Sequence, residues 1–223
     1  MLRNIDLNEI SDGKLYGIND MVKADCGGCH GCSACCHDMG TSIILDPLDV
    51  FRITTGLQKS FEELLDGFLE LNVVDGIILP NLRMSGNDKA CAFLDQNQRC
   101  SIHAIRPGIC RIFPLGRFYQ NHSFQYILQV HECPKPNKSK VKVRKWIDTE
   151  DSRRYEKYIN DWHYYLKDLQ EYIQTAKNDS EQKTISMYLL KQFFLLPFQT
   201  SQDFYEQFYS RLEEAMAYTD QFL

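Results

Sequence analysis

No run of eighteen apolar residues occurs in the 223-residue chain, so nothing in it is built to span a bilayer as a helix. Its opening, MLRNIDLNEISDGKLYG, lacks the unbroken apolar stretch of a secretory leader. A basic excess is missing too: 25 Lys and Arg face 30 Asp and Glu, and a net charge of -5 gives no general affinity for nucleic acid. There is no internal repeat, heptad pattern or low-complexity tract. No G-x-G-x-x-G follows a strand, which removes a Rossmann-type nucleotide site, and no cysteine triple has the C-x3-C-x2-C spacing of radical S-adenosylmethionine enzymes. Neither a Ser-His-Asp arrangement nor a paired-carboxylate motif stands out, so no catalytic residue is assigned. With 43% apolar and 12% aromatic residues the chain is too rich in core formers to be disordered. These absences leave a globular protein, expected in the cytoplasm, without a membrane or nucleic-acid partner.

Cysteine is what the chain has. The stretch DCGGCHGCSACCHDMG, Asp25 to Gly40, holds five of the nine cysteines within eleven residues. A reducing cytosol keeps thiols from forming lasting disulfides, whereas metal coordination withstands it. Neighbours such as Cys35 and Cys36 can both face a metal but rarely each find a bridging partner. Cys26, Cys29, Cys32 and Cys35 recur every three residues in a chain kinked by Gly27, Gly28 and Gly31. Each C-x-x-C turn brings two sulfurs to one side, a geometry that zinc and iron-sulfur clusters share. Taken as Cys26, Cys29, Cys32 and Cys36, the spacing is that of a bacterial ferredoxin run, but His37 stands where that run has proline and Cys35 intrudes.

Four further cysteines, Cys91, Cys100, Cys110 and Cys133, come from downstream elements, so a closed site would make metal binding part of folding. In CAFLDQNQRCSIHAIRPGICRIFPLGRF, a helix over residues 103–112 would put His103, Arg106 and Cys110 on one face, with Arg111 beside the thiol. Cationic neighbours favour thiolates, which makes Arg106 and Arg111 candidates for the surroundings of the centre. His30, His37, His103 and His131 are each able to replace a cysteine as ligand.

The pattern of elements predicts an α+β fold: a small cysteine-rich metal-binding domain of short strands and helices over residues 1–147, then a C-terminal helical bundle over 148–223. Residues 1–25 read as a leader or edge segment. TSIIL (41–45) reads as a strand, and Asp46-Pro47 starts a helix that Gly56 ends. Ser60 and Glu63 form a capping box for FEELLDGFLE. IILPNLRM reads as a strand, ACAFLD and RCSIH as a hairpin about DQNQ, and LGRFYQNHSFQYILQVHE as two strands turning at Gln120 to His122. Tyr155, Tyr158, Ile159, Trp162, Tyr165, Leu166, Leu169, Tyr172 and Ile173 form one helical stripe. A second helix runs from Glu181 towards Pro197, and a third, capped by Ser201 or Asp203, carries Phe204, Phe208, Leu212, Met216 and Phe222. Between the two regions, residues 135–145 hold six Lys or Arg, a wet edge strand or a docking surface for an acidic protein partner, the helical tail being the other candidate partner surface.

With CHGCSACC (Cys29, Cys32, Cys35, Cys36), CAFL (Cys91), CSIH (Cys100) and RPGICRIFP (Arg106, Pro107, Cys110, Arg111, Pro114), the chain resembles the YkgJ-type cysteine-cluster family, a zinc- or iron-chelating domain. The resemblance covers roughly residues 26–133 and leaves the helical tail outside it. Cys26 falls outside the family pattern, and Cys133 fits it as a late eighth cysteine. The metal ligands it implies are Cys29, Cys32, Cys35, Cys36, Cys91, Cys100, Cys110 and Cys133, holding an iron-sulfur cluster ahead of zinc. The family also includes flagellin lysine N-methylase, so S-adenosylmethionine and methyl transfer to a protein lysine follow as a second implication. Two zinc ions stiffening an interaction module are the third.

Overall fold

In the computed structural model, which describes residues 7–27 and 32–222, a single turn α1 (Leu7–Ile10) precedes strand β1 (Met21–Asp25), and a 3-10 turn over Ala34–Cys36 carries Cys35 and Cys36. Helix α2 (Pro47–Leu57) starts where Asp46 accepts the Asp49 N–H while Asp49 returns the bond to the Asp46 N–H, and Pro47 occupies the first turn, where no N–H is needed. Ser60 and Glu63 cap α3 (Phe61–Leu65) in the same way. Strands β2 (Leu69–Val74) and β3 (Ile77–Leu82) form a hairpin about Asp75-Gly76. Both turn residues have positive φ, 48° and 94°, and a Cβ on Gly76 would stand 2.6 Å from Ile173. Two-residue strands β4 (Met84–Ser85) and β5 (Ala90–Cys91) pair next, and the short helix α4 (Gly108–Ile112) follows. The hairpin of β6 (Leu115–Gln120) and β7 (Ser123–Leu128) turns at Asn121-His122, again with positive φ at both. Strand β8 (Ser139–Lys142) returns to pair antiparallel with β1, Met21 opposite Lys142 and Val22 opposite Val141, and leads directly into α5 (Val143–Ile147).

The tail is helical: α6 (Ser152–Ala176), α7 (Asp179–Leu190) and α8 (Phe204–Thr219). The stripe expected on α6 is buried from Tyr155 to Ile173, except that Tyr172 is half-buried. After α7 a five-residue π turn, Lys191–Leu195, lets the consecutive Phe193 and Phe194 both face inward. Trp162 meets Phe193 at 4.8 Å between ring centroids, and Tyr158 meets Phe208 edge-on at 4.5 Å. Tail and cysteine half share one hydrophobic core, in which Leu45, Ile53, Leu69 and Ile77 belong with Tyr158, Leu169 and Phe208. Among the described residues no helix is long and apolar enough to cross a membrane.

The architecture is the expected mixed α+β with a helical C-terminal region, but several local expectations need correction. Gly56 does not end α2; the helix runs on to Leu57 and closes with Gln58 left-handed, because Gly56 packs against Ile105, where a Cβ would meet Cδ1 at 2.5 Å. The helix begun at Phe61 stops at Leu65, since Leu69 and the residues after it pair with β3. TSIIL contributes only an isolated bridge, Ile44 to Asn81, and the CAFLD hairpin narrows to Leu94 opposite Cys100. Met216 is half exposed, and Phe222 lies beyond the end of α8.

Candidate metal centre

Three local structures bring cysteines together. The 3-10 turn holds Cys35 and Cys36, and it is tied to β5 by the bridge of His37 with Ala90 and by Asp38 N–H donating to the Lys89 carbonyl at 3.1 Å. This places the adjacent pair beside Cys91. From Cys91 the chain folds back on itself: Asp95 N–H donates to Arg99 O, Ser101 N–H to Phe93 O, and Cys100 arrives opposite Leu94. Cys110 comes on α4, whose first N–H, that of Gly108, donates to the buried Asp49 carboxylate at 2.7 Å. Trp146 of α5 fixes the other end of α4 by donating to the carbonyls of Ile112 and Phe113 at 3.1 Å.

The helix expected over residues 103–112 is broken. His103–Ile105 is a 3-10 turn, and α4 restarts at Gly108, because Arg106 precedes Pro107 and takes the extended conformation that position favours. His103, Arg106 and Cys110 therefore do not share a helical face. They do line the same cavity, of about 940 Å³, together with Cys32, Cys35, Cys36, Cys91 and Cys100. Of the eight cysteines expected as ligands, six thus surround one space. Cys133 stands off it, half-buried, its carbonyl accepting from Lys138 Nζ at 2.9 Å. Cys29 and His30 lie outside the described residues.

The thiols sense one another. Cys36 donates to Cys35, which brings the Cys35 thiol down to about 7 and pushes that of Cys36 up. Burial raises Cys91, Cys100 and Cys110, and each is raised further by the charge that Cys35 would carry. Five thiols in one cavity resist ionising together unless a cation accompanies them, which is the donor chemistry of a thiolate-bound metal. As placed, they line the space without closing on a point: among the described residues no three Cys, His, Asp or Glu side chains converge closely enough to hold one ion. None of the described cysteines is in a disulfide.

Both expected arginines line the cavity, in different ways. Arg106 lines the cavity, donates to the His103 carbonyl at 2.8 Å, and its charge eases ionisation of Cys35 and Cys100. Arg111 is buried, with Nη1 on Asp148 O at 2.9 Å and Nη2 on Ala104 O at 2.8 Å, so it braces the turn before α4 against the end of α5. Sequence reading passes over Arg99, whose charge also favours the Cys100 thiolate, and over Asp49, both on the cavity wall with Asp46 and Arg117. For Arg99 the adjacency to Cys100 is a signal; Asp46 reads only as a cap, and Arg117 stands in the cysteine- and arginine-rich stretch without an assigned role. Of the histidines, His37 sits off the cavity between Gln98 Oε1 at 3.1 Å and Asp88 O at 3.3 Å, His131 is exposed and also off it, and His103 lines it.

No curated protein and no solved structure matches the chain. A family model does match, over residues 28–141, a span that takes in every cysteine but Cys26 and ends in β8. With half of its length in that match, the chain belongs to the CxxCxxCC family, described as a "putative zinc- or iron-chelating domain".

Proposed function

We propose that this protein binds an iron-sulfur cluster through cysteines drawn from Cys29, Cys32, Cys35, Cys36, Cys91, Cys100 and Cys110, and that it does so in a reducing, cytoplasmic setting. The observation carrying this reading is that six cysteines from three separate segments line one cavity. Consecutive C-x-x-C spacings and the adjacent Cys35-Cys36 pair favour iron-sulfur over zinc, which is the next reading. Arg106 and Arg99 offset thiolate charge at the rim, whereas Cys133 is left out of the ligand set. Anaerobic purification with metal analysis and a visible spectrum tests it. Iron with inorganic sulfide and a broad band near roughly 400 nm, an order-of-magnitude expectation for thiolate-bound clusters, supports the proposal; a colourless protein with stoichiometric zinc overturns the choice of iron.

A further inference from the structure

The cavity continues past the thiols. Its lining also includes the apolar side chains of Leu45, Val74 and Leu79 and, from α6, those of Ile159, Trp162 and Leu166. Helix α6 lies beyond the matched segment 28–141, so part of this chamber is built by the C-terminal region.

Among the charged residues on its wall, Asp46 and Arg117 are of opposite sign. Asp46 and Arg117 both line the cavity, and both keep part of their surface open although protein encloses them. They are near enough to influence each other's ionisation, yet the ion pairs found among the described residues are all elsewhere. Opposite charges enclosed by protein ordinarily pair, because an unpaired charge away from water is costly. Here each is held by other groups. Asp49 N–H and Tyr158 Oη, both at 2.9 Å, donate to Asp46 Oδ1, which leaves Oδ2 for an occupant. Arg117 Nη2 donates to Tyr155 Oη at 2.8 Å, and its buried Nε finds no protein acceptor. Burial works against the Asp46 carboxylate, Arg117 and Arg52 offset part of that, and a further cation placed against it would offset more.

We propose that this cavity binds, beside its thiols, a small zwitterion of the α-amino acid class, with its ammonium on Asp46, its carboxylate on Arg117 and an apolar side chain against Ile159, Trp162 and Leu166. The separated charges ask for a ligand with both signs, and the apolar wall asks for more than a salt ion. The proposal goes beyond metal binding and uses residues of the same cavity other than its cysteines.

Calorimetry on the full-length, metal-loaded protein tests it with L-phenylalanine, L-methionine and L-leucine, against phenethylamine, which lacks the carboxylate, 3-phenylpropionate, which lacks the ammonium, and glycine, which lacks the apolar body. At least one apolar amino acid binds saturably, and its analogues lacking a group bind at least tenfold more weakly. Asp46→Asn, which remains a good helix cap, weakens the amino acid at least tenfold and leaves 3-phenylpropionate unchanged. No heat with any amino acid, equal binding of the one-charge analogues, or an unaffected Asp46→Asn overturns the proposal. Metal content measured on the same samples separates the two readings: amino acid binding without metal sinks only the cluster, and metal without amino acid binding sinks only the chamber.

Discussion

Cys110 and Cys133 are both half-buried thiols, yet their surroundings differ in the way that should decide their roles. Cys110 faces the cavity, where burial holds its thiol up and Cys35, Cys91 and Cys100 add to the effect; Cys133 faces none of them. Replacing Cys110 with Ser should remove most of the bound metal, and Cys133→Ser should keep it, read as metal per chain after desalting; equal loss from both would contradict this assignment. His163, which also lines the cavity, bears on stability. Its ring stacks on Tyr119 with centroids 3.5 Å apart, and burial pulls its pKa down to about 4. Being lower than the unfolded value of about 6.5, it contributes stability in full above that pH and loses it as pH falls through about 4. The melting temperature should therefore drop between pH 7 and pH 5. His163→Phe, which keeps the stack, should show a smaller drop, and an identical one would refute the attribution.

Among the elements, α4 shows how the fold aims a ligand. Its first residue, Gly108, lies between Asp49 and Tyr155, and a Cβ there would stand 2.4 Å from Tyr155 Oη, which is pinned by Arg117 and fully buried. Helix propensity alone would make Gly108→Ala stabilising by about 1 kcal/mol; the collision should reverse the sign, to a loss of about 1–3 kcal/mol in urea unfolding. Tyr155→Phe removes the colliding oxygen, so the double variant should lose less than the sum of the two single ones. A neutral or stabilising Gly108→Ala would show that α4 is not held as described. Elements with a strong local signal were legible in advance: the caps at Asp46 and Ser60, the turn at Asn121-His122, and the stripe of α6. Elements settled by distant partners were not. β2 displaces the second half of a predicted helix because β3 pairs with it, and Gly56 continues α2 because Ile105 occupies the space beside it. The site divides in the same way: spacing announces the cysteines, while the sequence names Asp46 as a cap and Arg117 among the cations without placing them together, which only the packing of α2, β6 and α6 around a common space does.

At the scale of the molecule, the cysteine turns and the helical tail are one packed body, with Trp162 and Leu166 of α6 and Cys91 of β5 belonging to the same buried cluster. Closing sulfurs from residues 32–36, 91–100 and 110 on a metal would tie these segments at their least regular points, so removing it with a chelator under anaerobic conditions should lower the melting temperature by several degrees or more. The most direct test is X-ray absorption at the metal edge of the purified holoprotein, compared with the Cys91→Ser and Cys110→Ser variants. The account predicts a first shell of sulfur, at about 2.3 Å for iron or zinc thiolates, that is depleted together with metal content in both variants. A shell of nitrogen and oxygen, or a sulfur shell untouched by either substitution, would contradict it.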